Sequence, residues 1–306
     1  MSLSGFRWEC RESKTLEAFP GLVRNDTWMG EVAMVTIEVD KKTCAGDGKC
    51  VEICPMHILK MNAERVPEFI PKGGDVCINC GQCFAFCPKG SIKLSTMDVK
   101  DAMRLDYAKL PTAEQAELLL KSRRSIRNYK DEPVTKESIE KLLDIARYAP
   151  SGINRQPVSW IAIMGKDKVH ELGGLIVEWI EELLEAKNQM AISFRFDRLV
   201  GAWKNGEDLI CRNAPCIVIA QGIKDDPMVP QSCTIAGTYL ELAAFGLGLG
   251  ACWAGYVNMA INMSEKIRKF TGLSSHATAG AVMMIGYPKY RYNRIPMRNS
   301  AKISWK

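Results

Sequence analysis

The strongest constraint on this chain of 306 residues is a run of four cysteines followed by a proline. The cysteines are Cys77, Cys80, Cys83 and Cys87, and the proline is Pro88. Thiolates are soft ligands that suit iron–sulfur clusters. Gaps of two residues let three thiolates reach one cluster from a tight loop, and the fourth cysteine of such a run ligates the other cluster where a protein carries two. The run therefore predicts one iron–sulfur cluster and implies a second.

A matching run lies upstream and differs from the first at one position. It contains Cys44, Cys50 and Cys54 before Pro55, and Asp47 stands where the second cysteine would be. In a two-cluster protein the fourth cysteine of each run ligates the cluster of the other run, and this cross-over rule divides the ligands into two sets. One cluster is predicted to be held by Cys54, Cys77, Cys80 and Cys83, and the other by Cys44, Asp47, Cys50 and Cys87.

Asp47 leaves the type of the cluster in the second set open. A carboxylate is a harder and weaker ligand for iron than a thiolate is. The cluster is therefore either a 4Fe-4S cube with an oxygen ligand at one corner or a 3Fe-4S cluster that lacks that corner. Structural zinc is the alternative, but zinc sites use two paired Cys-x-x-Cys knuckles. Three cysteines in a seven-residue stretch followed by Cys-Pro favour iron–sulfur.

Composition excludes several classes of protein. Hydrophobic residues make up 47% and charged residues 25% of the chain, as in an ordinary globular protein, and the net charge of +6 is mild. The sequence contains no basic stripe of the kind that predicts nucleic-acid binding.

Neither a membrane helix nor a leader is predicted. An uncharged stretch at 242–264 contains four glycines and two asparagines, so we expect no membrane helix there. The first eleven residues have no apolar run before their charges, so we expect no secretory leader.

The remaining cysteines have no spacing typical of a disulfide framework. Seven of the 12 cysteines lie in the two runs. Thiols in this pattern are typical of a reducing compartment, which predicts a cytoplasmic protein. The five other cysteines are Cys10, Cys211, Cys216, Cys233 and Cys252.

The order of the motifs predicts two domains. Residues 1–33 have no clear period and are treated as an N-terminal extension. Residues 34–97 form one unit in which ligand loop, short helix and short strand occur twice, and the unit resembles a bacterial two-cluster ferredoxin. Residues 98–111 are interpreted as a linker, and residues 112–306 as the second domain.

The second domain mixes helices and strands. Thr112 and Gln115 have the spacing of a capping box at the start of a helix. The glycines at 246, 248 and 250 end a helix and open a strand, so they do not form a dinucleotide fingerprint. Apolar periodicity predicts helices over 138–148, 167–187, 231–245 and 264–270, and strands over 159–164, 216–220, 251–256 and 279–286.

Two polar segments of this domain are candidate ligand sites. Arginines and a serine cluster at 123–127, and guanidinium groups pair bidentately with phosphate, although a solvated basic helix end would have the same composition. The segment 150–157 places Ser, Asn, Arg and Gln between two prolines. Amides held in such a loop can bind the polar edge of a planar ring. The pair of segments favours a phosphorylated ligand with a flat ring.

Four motifs of the second domain, taken in their order along the chain, resemble those of the nitroreductase family of flavoproteins. They are Arg-Arg-Ser-Ile-Arg at 123–127, Pro-Ser-Gly-Ile-Asn-Arg-Gln-Pro at 150–157, Gly-Leu-Gly-Ala-Cys-Trp at 248–253, and Gly-Tyr-Pro with Asn-Arg-Ile-Pro at 286–296. The resemblance implies an α+β fold with a mainly antiparallel sheet wrapped by helices, behind a ferredoxin-like iron–sulfur domain. It also implies a homodimer with FMN at each end of the interface.

The resemblance also implies which residues bind FMN. Val158 departs from the family's aromatic residue, and Tyr292 stands where a second basic residue is common. No residue is predicted to act as a catalytic acid, base or nucleophile, because the flavin carries the chemistry. The implied contacts are Arg123, Arg124, Ser125 and Arg127 for phosphate, ribityl and pyrimidine; Pro150, Ser151, Gly152, Asn154 and Gln156 near the ring; Gly255 and Tyr256 near N5; and Arg291 and Arg294 near the phosphate.

Three functions fit this sequence. In the first, the clusters relay electrons from a low-potential donor protein to FMN, and a small organic acceptor such as a nitroaromatic, a quinone or an activated conjugated compound is reduced. In the second, NAD(P)H reduces the flavin directly and the clusters are a side path. In the third, the chain transfers electrons or senses redox state without an organic substrate. The absence of a nicotinamide fingerprint favours the first.

Overall fold

The computed structural model describes residues 34–306, so the extension and the leader prediction for the first residues lie outside the described part. The chain divides into two compact units between Asp106 and Tyr107. Each unit is described by itself below.

The first unit consists of two short antiparallel sheets and two one-turn helices. Strand β1 pairs with β4, and β2 pairs with β3. Each helix follows a glycine in the left-handed region, Gly48 at φ 76° and Gly81 at φ 68°, where a side chain would be strained. The elements are β1 (Ile37–Val39), α1 (Lys49–Glu52), β2 (Leu59–Met61), β3 (Pro67–Phe69), α2 (Gln82–Phe86) and β4 (Ile92–Leu94).

The core of the first unit is small. Val35, Ile92 and Leu94 form one buried group with Cys50, and Ile58 and Leu59 form another with Cys54. Cysteine sulfurs pack against both groups. So small an apolar core is marginal by itself. The cysteine side chains therefore supply part of the packing that this small apolar core lacks.

The segment predicted as a linker contains two short 3₁₀ turns, Val99–Asp101 and Tyr107–Lys109.

The second unit contains eight helices and four strands among the described residues. Its first helix is closed by the predicted capping box, since Gln115 N–H donates to Thr112 Oγ1 and Thr112 N–H donates to Gln115 Oε1. The elements are α3 (Ala113–Ser122), α4 (Lys136–Ala146), β5 (Ser159–Met164), α5 (Lys166–Glu185), α6 (Gln189–Ser193), α7 (Phe196–Lys204), β6 (Cys216–Ile223), α8 (Val229–Gly246), β7 (Gly250–Trp253), α9 (Gly255–Met263), α10 (Glu265–Thr271) and β8 (Ala277–Gly286).

The four strands form one antiparallel sheet in the order β5-β6-β8-β7. Its two central strands, β6 and β8, are almost entirely buried. Helices α5, α7 and α9 pack with one face of the sheet, and α4 and α8 pack with residues of the other. The predicted α+β fold with a mainly antiparallel sheet is confirmed.

One prediction of secondary structure was wrong, and three helices were not predicted. The strand predicted over 251–256 ends at Trp253, because Asn258 N–H donates to Ala254 O and closes the first turn of α9. Helices α6, α7 and α9 were missed. Asn188 caps α6 through its side chain, a signal that the sequence contains, but α6 has only five residues and too little periodicity.

The uncharged stretch at 242–264 is divided between α8, β7 and α9. Among the described residues, no helix combines the length and the apolarity needed to cross a membrane.

Candidate functional site

One set of predicted cluster ligands surrounds a cavity in the first unit. Cys54, Cys77, Cys80 and Cys83 line it together, with apolar walls that include Phe69. Cys77 and Cys80 lie in the loop that leads into α2, Cys83 lies in α2 itself, and Cys54 comes from the end of the earlier run. The fold thus brings together the four residues that the cross-over rule assigned to one cluster.

The other set surrounds a second cavity. Cys44, Asp47, Cys50 and Cys87 line it. The carboxylate of Asp47 accepts a hydrogen bond from Lys49 N–H at 3.2 Å, and its other oxygen lies 3.6 Å from Lys49 Nζ. Asp47 therefore occupies the place of a fourth ligand, but Lys49 already engages both of its oxygens.

Burial makes three of these thiols weaker acids. It raises the pKa of Cys83 to about 11 and also raises the pKa of Cys77 and Cys50. Burial also acts on Cys87, but backbone N–H groups, with that of Ser91 at 3.3 Å, outweigh it and lower the pKa of this thiol. Metal ligation requires thiolates, so loading a cluster releases protons.

The donors fit iron–sulfur clusters. Seven thiols and one carboxylate surround two separate cavities in residues 44–87. Soft sulfur donors in this number are the ligands that iron–sulfur clusters use. Within residues 34–306, no group of three or more His, Cys, Asp or Glu side chains is placed to hold a single metal ion.

The arginine segment of the second unit runs along the edge strand β7. Ile126 N–H donates to Ala251 O at 3.0 Å, and Tyr129 pairs with Pro288 further along. Successive side chains of an extended segment point in opposite directions. Arg124 and Ile126 line an open cavity, whereas Ser125 lies on the other side with Cys252. Arg123, which directly follows α3, also lines the cavity and does not follow this alternation.

Arginines and tyrosines line this open cavity. Arg123, Arg124 and Arg291 are the arginines, and the guanidinium of Arg124 lies 5.7 Å from the centre of the Tyr292 ring. Guanidinium groups bind phosphate, and tyrosine rings pack against flat ligands. The lining suits a phosphorylated aromatic ligand such as FMN.

A buried carboxylate contacts one of these arginines. Arg123 Nη1 donates to Glu241 Oε1 at 2.8 Å, and Trp253 Nε1 donates to Glu241 Oε2 at 3.2 Å. The side chain of Glu241 is 6% exposed, whereas that of Arg123 is 33% exposed. Glu241 was not predicted from the sequence, although a single charged residue on the otherwise uncharged helix α8 is a visible signal.

Ser125 and Arg127 lie near the thiol of Cys252. Burial raises the pKa of Cys252, whereas the charge of Arg127 and a hydrogen bond with Ser125 oppose that rise. Arg212, which the sequence analysis did not select, also acts on this thiol. These residues form a polar group beside the cavity, not in its lining.

The loop predicted to contact the flavin ring has an unusual backbone. Ile153, Asn154 and Gln156 have φ values of 44°, 55° and 49°, in the left-handed region. A β-branched residue there is a conformational outlier, and such strain clusters at functional sites. Gln156 N–H donates to Ser151 Oγ at 2.9 Å and holds the loop closed.

Within one protomer, this loop and the arginine cavity lie near opposite parts of helix α8. Gly152 packs against Met228 at the start of the helix, because a Cβ on Gly152 would lie 1.9 Å from Met228 Cε. Arg123 instead binds Glu241, thirteen residues further along. At 1.5 Å of rise per residue, that is a separation of about 20 Å. The fold does not bring Ser151, Asn154 and Gln156, or Pro150 before them, into the cavity.

The other selected residues occupy separate positions. Gly255 begins α9, and a Cβ placed on it would meet no atom within 4 Å. Tyr256 packs edge-on against Phe196, with 5.9 Å between the ring centres. Arg294 lies exposed in the C-terminal segment, beyond the residues that line the cavity.

Comparisons with known proteins agree with both units. A model described as the nitroreductase family matches residues 120–287, and a model for a 4Fe-4S dicluster domain matches residues 36–88. A protein of Archaeoglobus fulgidus, whose name includes NADH dehydrogenase/NAD(P)H nitroreductase, is 30% identical over 179 residues, covering 58% of this chain and 87% of its own.

Two further proteins are similar to one unit each. An uncharacterized ferredoxin of Methanocaldococcus jannaschii is 29% identical over 66 residues, or 22% of this chain and 86% of its own. A nitroreductase of Desulfitobacterium hafniense, solved with bound FMN, has a TM-score of 0.51 at 22% identity and covers 64% of this chain and 99% of its own. This chain belongs to the nitroreductase family and carries a 4Fe-4S dicluster ferredoxin domain ahead of the family domain.

Proposed function

We propose that this oxidoreductase passes electrons from a low-potential donor through two iron–sulfur clusters to FMN and on to a small organic acceptor. Nitroaromatics, quinones and activated conjugated compounds are the acceptors that fit. The observation that carries the proposal is the convergence of two four-residue ligand sets on two cavities, in a chain that is otherwise a nitroreductase-family protein. A family member that worked from a hydride donor alone would have no use for a relay.

Clusters transfer single electrons, and bound FMN supplies both one- and two-electron chemistry. In the proposal, the chain's own residues hold these groups and exclude water from them. Cys54, Cys77, Cys80 and Cys83 would hold a 4Fe-4S cluster. Cys44, Cys50 and Cys87 would hold the other, with Asp47 either on its fourth iron or beside an open corner.

The FMN site in this proposal is composite. Arg123, Arg124 and Arg291 line the cavity and would bind the flavin from one protomer. Ser125, Arg127, Arg294, Gly255 and Tyr256 do not line it, and their contacts with FMN stay predictions from the resemblance. The loop at 150–156 lies about 20 Å away along α8 in the same protomer. We infer that the second protomer of a homodimer contributes the loop, and the strained backbone at Ile153 supports a role in ligand binding.

A second candidate is direct reduction of the flavin by NADH or NADPH, with the clusters as a side path. The Archaeoglobus fulgidus relative has NAD(P)H nitroreductase in its name, which favours this alternative. A third is electron transfer or redox sensing without an organic substrate. In all three, thiol-ligated clusters suit a reducing compartment, so a cytoplasmic location is part of the proposal.

Anaerobic reduction of the purified protein tests these proposals. Flavin absorbance and the electron paramagnetic resonance of the clusters are followed together while NADH, NADPH or a reduced low-potential carrier is added. Reduction by the carrier alone, with cluster signals preceding flavin bleaching, is expected for the relay. Rapid bleaching by NAD(P)H would support the second candidate. Reduction without turnover of any nitroaromatic or quinone would support the third.

A further inference from the structure

Glu241 is a costly residue at its position. Its carboxylate is almost fully buried on helix α8, whose buried residues are otherwise apolar, glycine or serine. A buried ion pair stabilises a fold little, because desolvation offsets the attraction of the charges. Stability alone therefore does not account for a glutamate here. Its direct contact is with Arg123.

Two hydrogen bonds and one packing contact fix the position of Glu241 beside Arg123. One carboxylate oxygen accepts from Arg123 Nη1 and the other from Trp253 Nε1. The indole of Trp253 packs against Gly237, where a Cβ would lie 3.2 Å from the ring. Gly237 lies one turn before Glu241, so both residues lie on one face of the helix. The carboxylate is held from two directions, and Arg123 is held by the carboxylate.

The pairing changes the type of ligand atom that suits Arg123. Its positive charge is matched by Glu241 at 2.8 Å, so a phosphate placed there would meet both charges. A guanidinium has five N–H donors, and the remaining ones can still bind carbonyl or hydroxyl oxygens. Among the described residues, no carboxylate forms an ion pair with Arg124 or Arg291 of the same cavity. Their charges remain available to a phosphate.

We propose that Glu241 is a positioning residue that holds Arg123 for an uncharged oxygen of the flavin, while Arg124 and Arg291 bind its phosphate. The proposal rests on the function proposed above, since it needs FMN in this cavity. It replaces the role that the resemblance implied for Arg123, which included the phosphate.

Comparison of FMN with riboflavin tests this division, because riboflavin lacks only the phosphate. Dissociation constants are measured by flavin fluorescence on the full chain after anaerobic removal of its flavin. Arg124→Ala and Arg291→Ala are each expected to weaken FMN about tenfold and to change riboflavin less than about twofold. Arg123→Ala is expected to weaken both flavins by a similar factor of about ten.

A double-mutant cycle tests whether Glu241 acts through Arg123. Glu241→Gln is expected to weaken both flavins about tenfold in the wild-type background and to add nothing in the Arg123→Ala background. A purely structural role would add the same factor in both. Trp253→Phe, which removes only the indole N–H and keeps an aromatic ring, should act in the same direction if Glu241→Gln does not fold. Glu140→Gln makes the same chemical change on an exposed helix face and should change neither constant.

The outcomes separate this inference from the function on which it rests. Loss of FMN but not riboflavin binding in Arg123→Ala would overturn the division of roles. Additive effects of Glu241→Gln and Arg123→Ala would overturn the positioning role. Absence of binding of either flavin by the wild-type chain, or binding that is insensitive to all three arginines, would overturn the proposed FMN site itself.

Discussion

Arg155 and the buried carboxylate of Asp226 form an ion pair that connects the strained loop to the start of helix α8. Arg155 Nη2 lies 2.8 Å from Asp226 Oδ2, and Nη1 donates to Oδ1 at 3.2 Å. Asp226 Oδ1 also accepts from Met228 N–H at 2.9 Å. Asp226 is 2% exposed, so its charge depends on these partners. The pair fixes the position of the loop relative to the start of α8.

Asp226→Asn is expected to destabilise the second unit by about 3 to 5 kcal/mol, because it removes the buried carboxylate charge that pairs with the guanidinium of Arg155. Urea unfolding followed by tryptophan fluorescence measures the change in the free energy of unfolding. Asp225→Asn is the matched control, since this neighbouring carboxylate is exposed and should cost little. Equal effects of the two substitutions would show that the pair does not stabilise the loop.

Gly250→Ala is expected to destabilise the chain by about 1 to 3 kcal/mol through overpacking. A Cβ on Gly250 would lie 2.5 Å from Ile126 Cγ1 and 2.8 Å from Ile126 Cβ, and a β-branched side chain has few alternative rotamers. Because Ile126 docks the arginine segment on β7, FMN retention should fall as well. Gel filtration with quantification of bound flavin measures it.

Gly246→Ala is the control for that experiment. Gly246 ends helix α8, and a Cβ placed there would meet nothing within 4 Å. Alanine favours a helix over glycine, so this substitution should be neutral or stabilise by up to about 1 kcal/mol. A cost as large as that of Gly250→Ala would contradict the steric explanation.

Asp47→Cys is expected to give two 4Fe-4S clusters with thiolate ligands only, because it supplies the missing soft ligand beside the second cavity. Iron analysis should then give the iron content of two 4Fe-4S clusters. Electron paramagnetic resonance should show loss of the signal from a 3Fe-4S or oxygen-ligated cluster. Asp101→Cys, which adds a thiol at an exposed position, should leave the spectrum as in the wild type. An unchanged spectrum in Asp47→Cys would place Asp47 away from the cluster.

The free energy of unfolding should fall as the pH rises above 9, in part because of Cys216. Burial raises the pKa of this thiol to about 12 from a reference value of 9.0. The folded state favours the protonated thiol, so its contribution is fully present below pH 9 and is lost as the pH rises towards 12. By pH 11 the loss from this one group is about 2 to 3 kcal/mol.

Cys216→Ala removes this titration and should flatten the decline. The variant starts from a lower stability because it loses buried volume, so the comparison concerns the slope between pH 8 and pH 11, measured by urea unfolding at each pH. Parallel curves for the wild type and the variant would show that the Cys216 thiol does not titrate differently in the folded and unfolded states.

Local chemistry explains which features could be predicted. Thr112 and Gln115 close a capping box because both partners lie within one turn, and β5 and α5 follow from periodicity within a single segment. The grouping of Cys54 with the later run and of Cys87 with the earlier one also follows from spacing, because the two runs repeat one scheme. The structure brings both groups to cavities.

The sequence by itself determined the cofactor-type motifs, the two-domain order and the class of fold, since these depend on residue type and on short-range spacing. Only the tertiary structure decided that Glu241 lies against Arg123, 118 positions away, and that Asp226 holds Arg155. It also decided that the loop at 150–157 and the arginine cavity lie apart along α8. Contacts of this kind arise when helix α8 packs on the sheet, and no local pattern encodes which buried carboxylate meets which arginine.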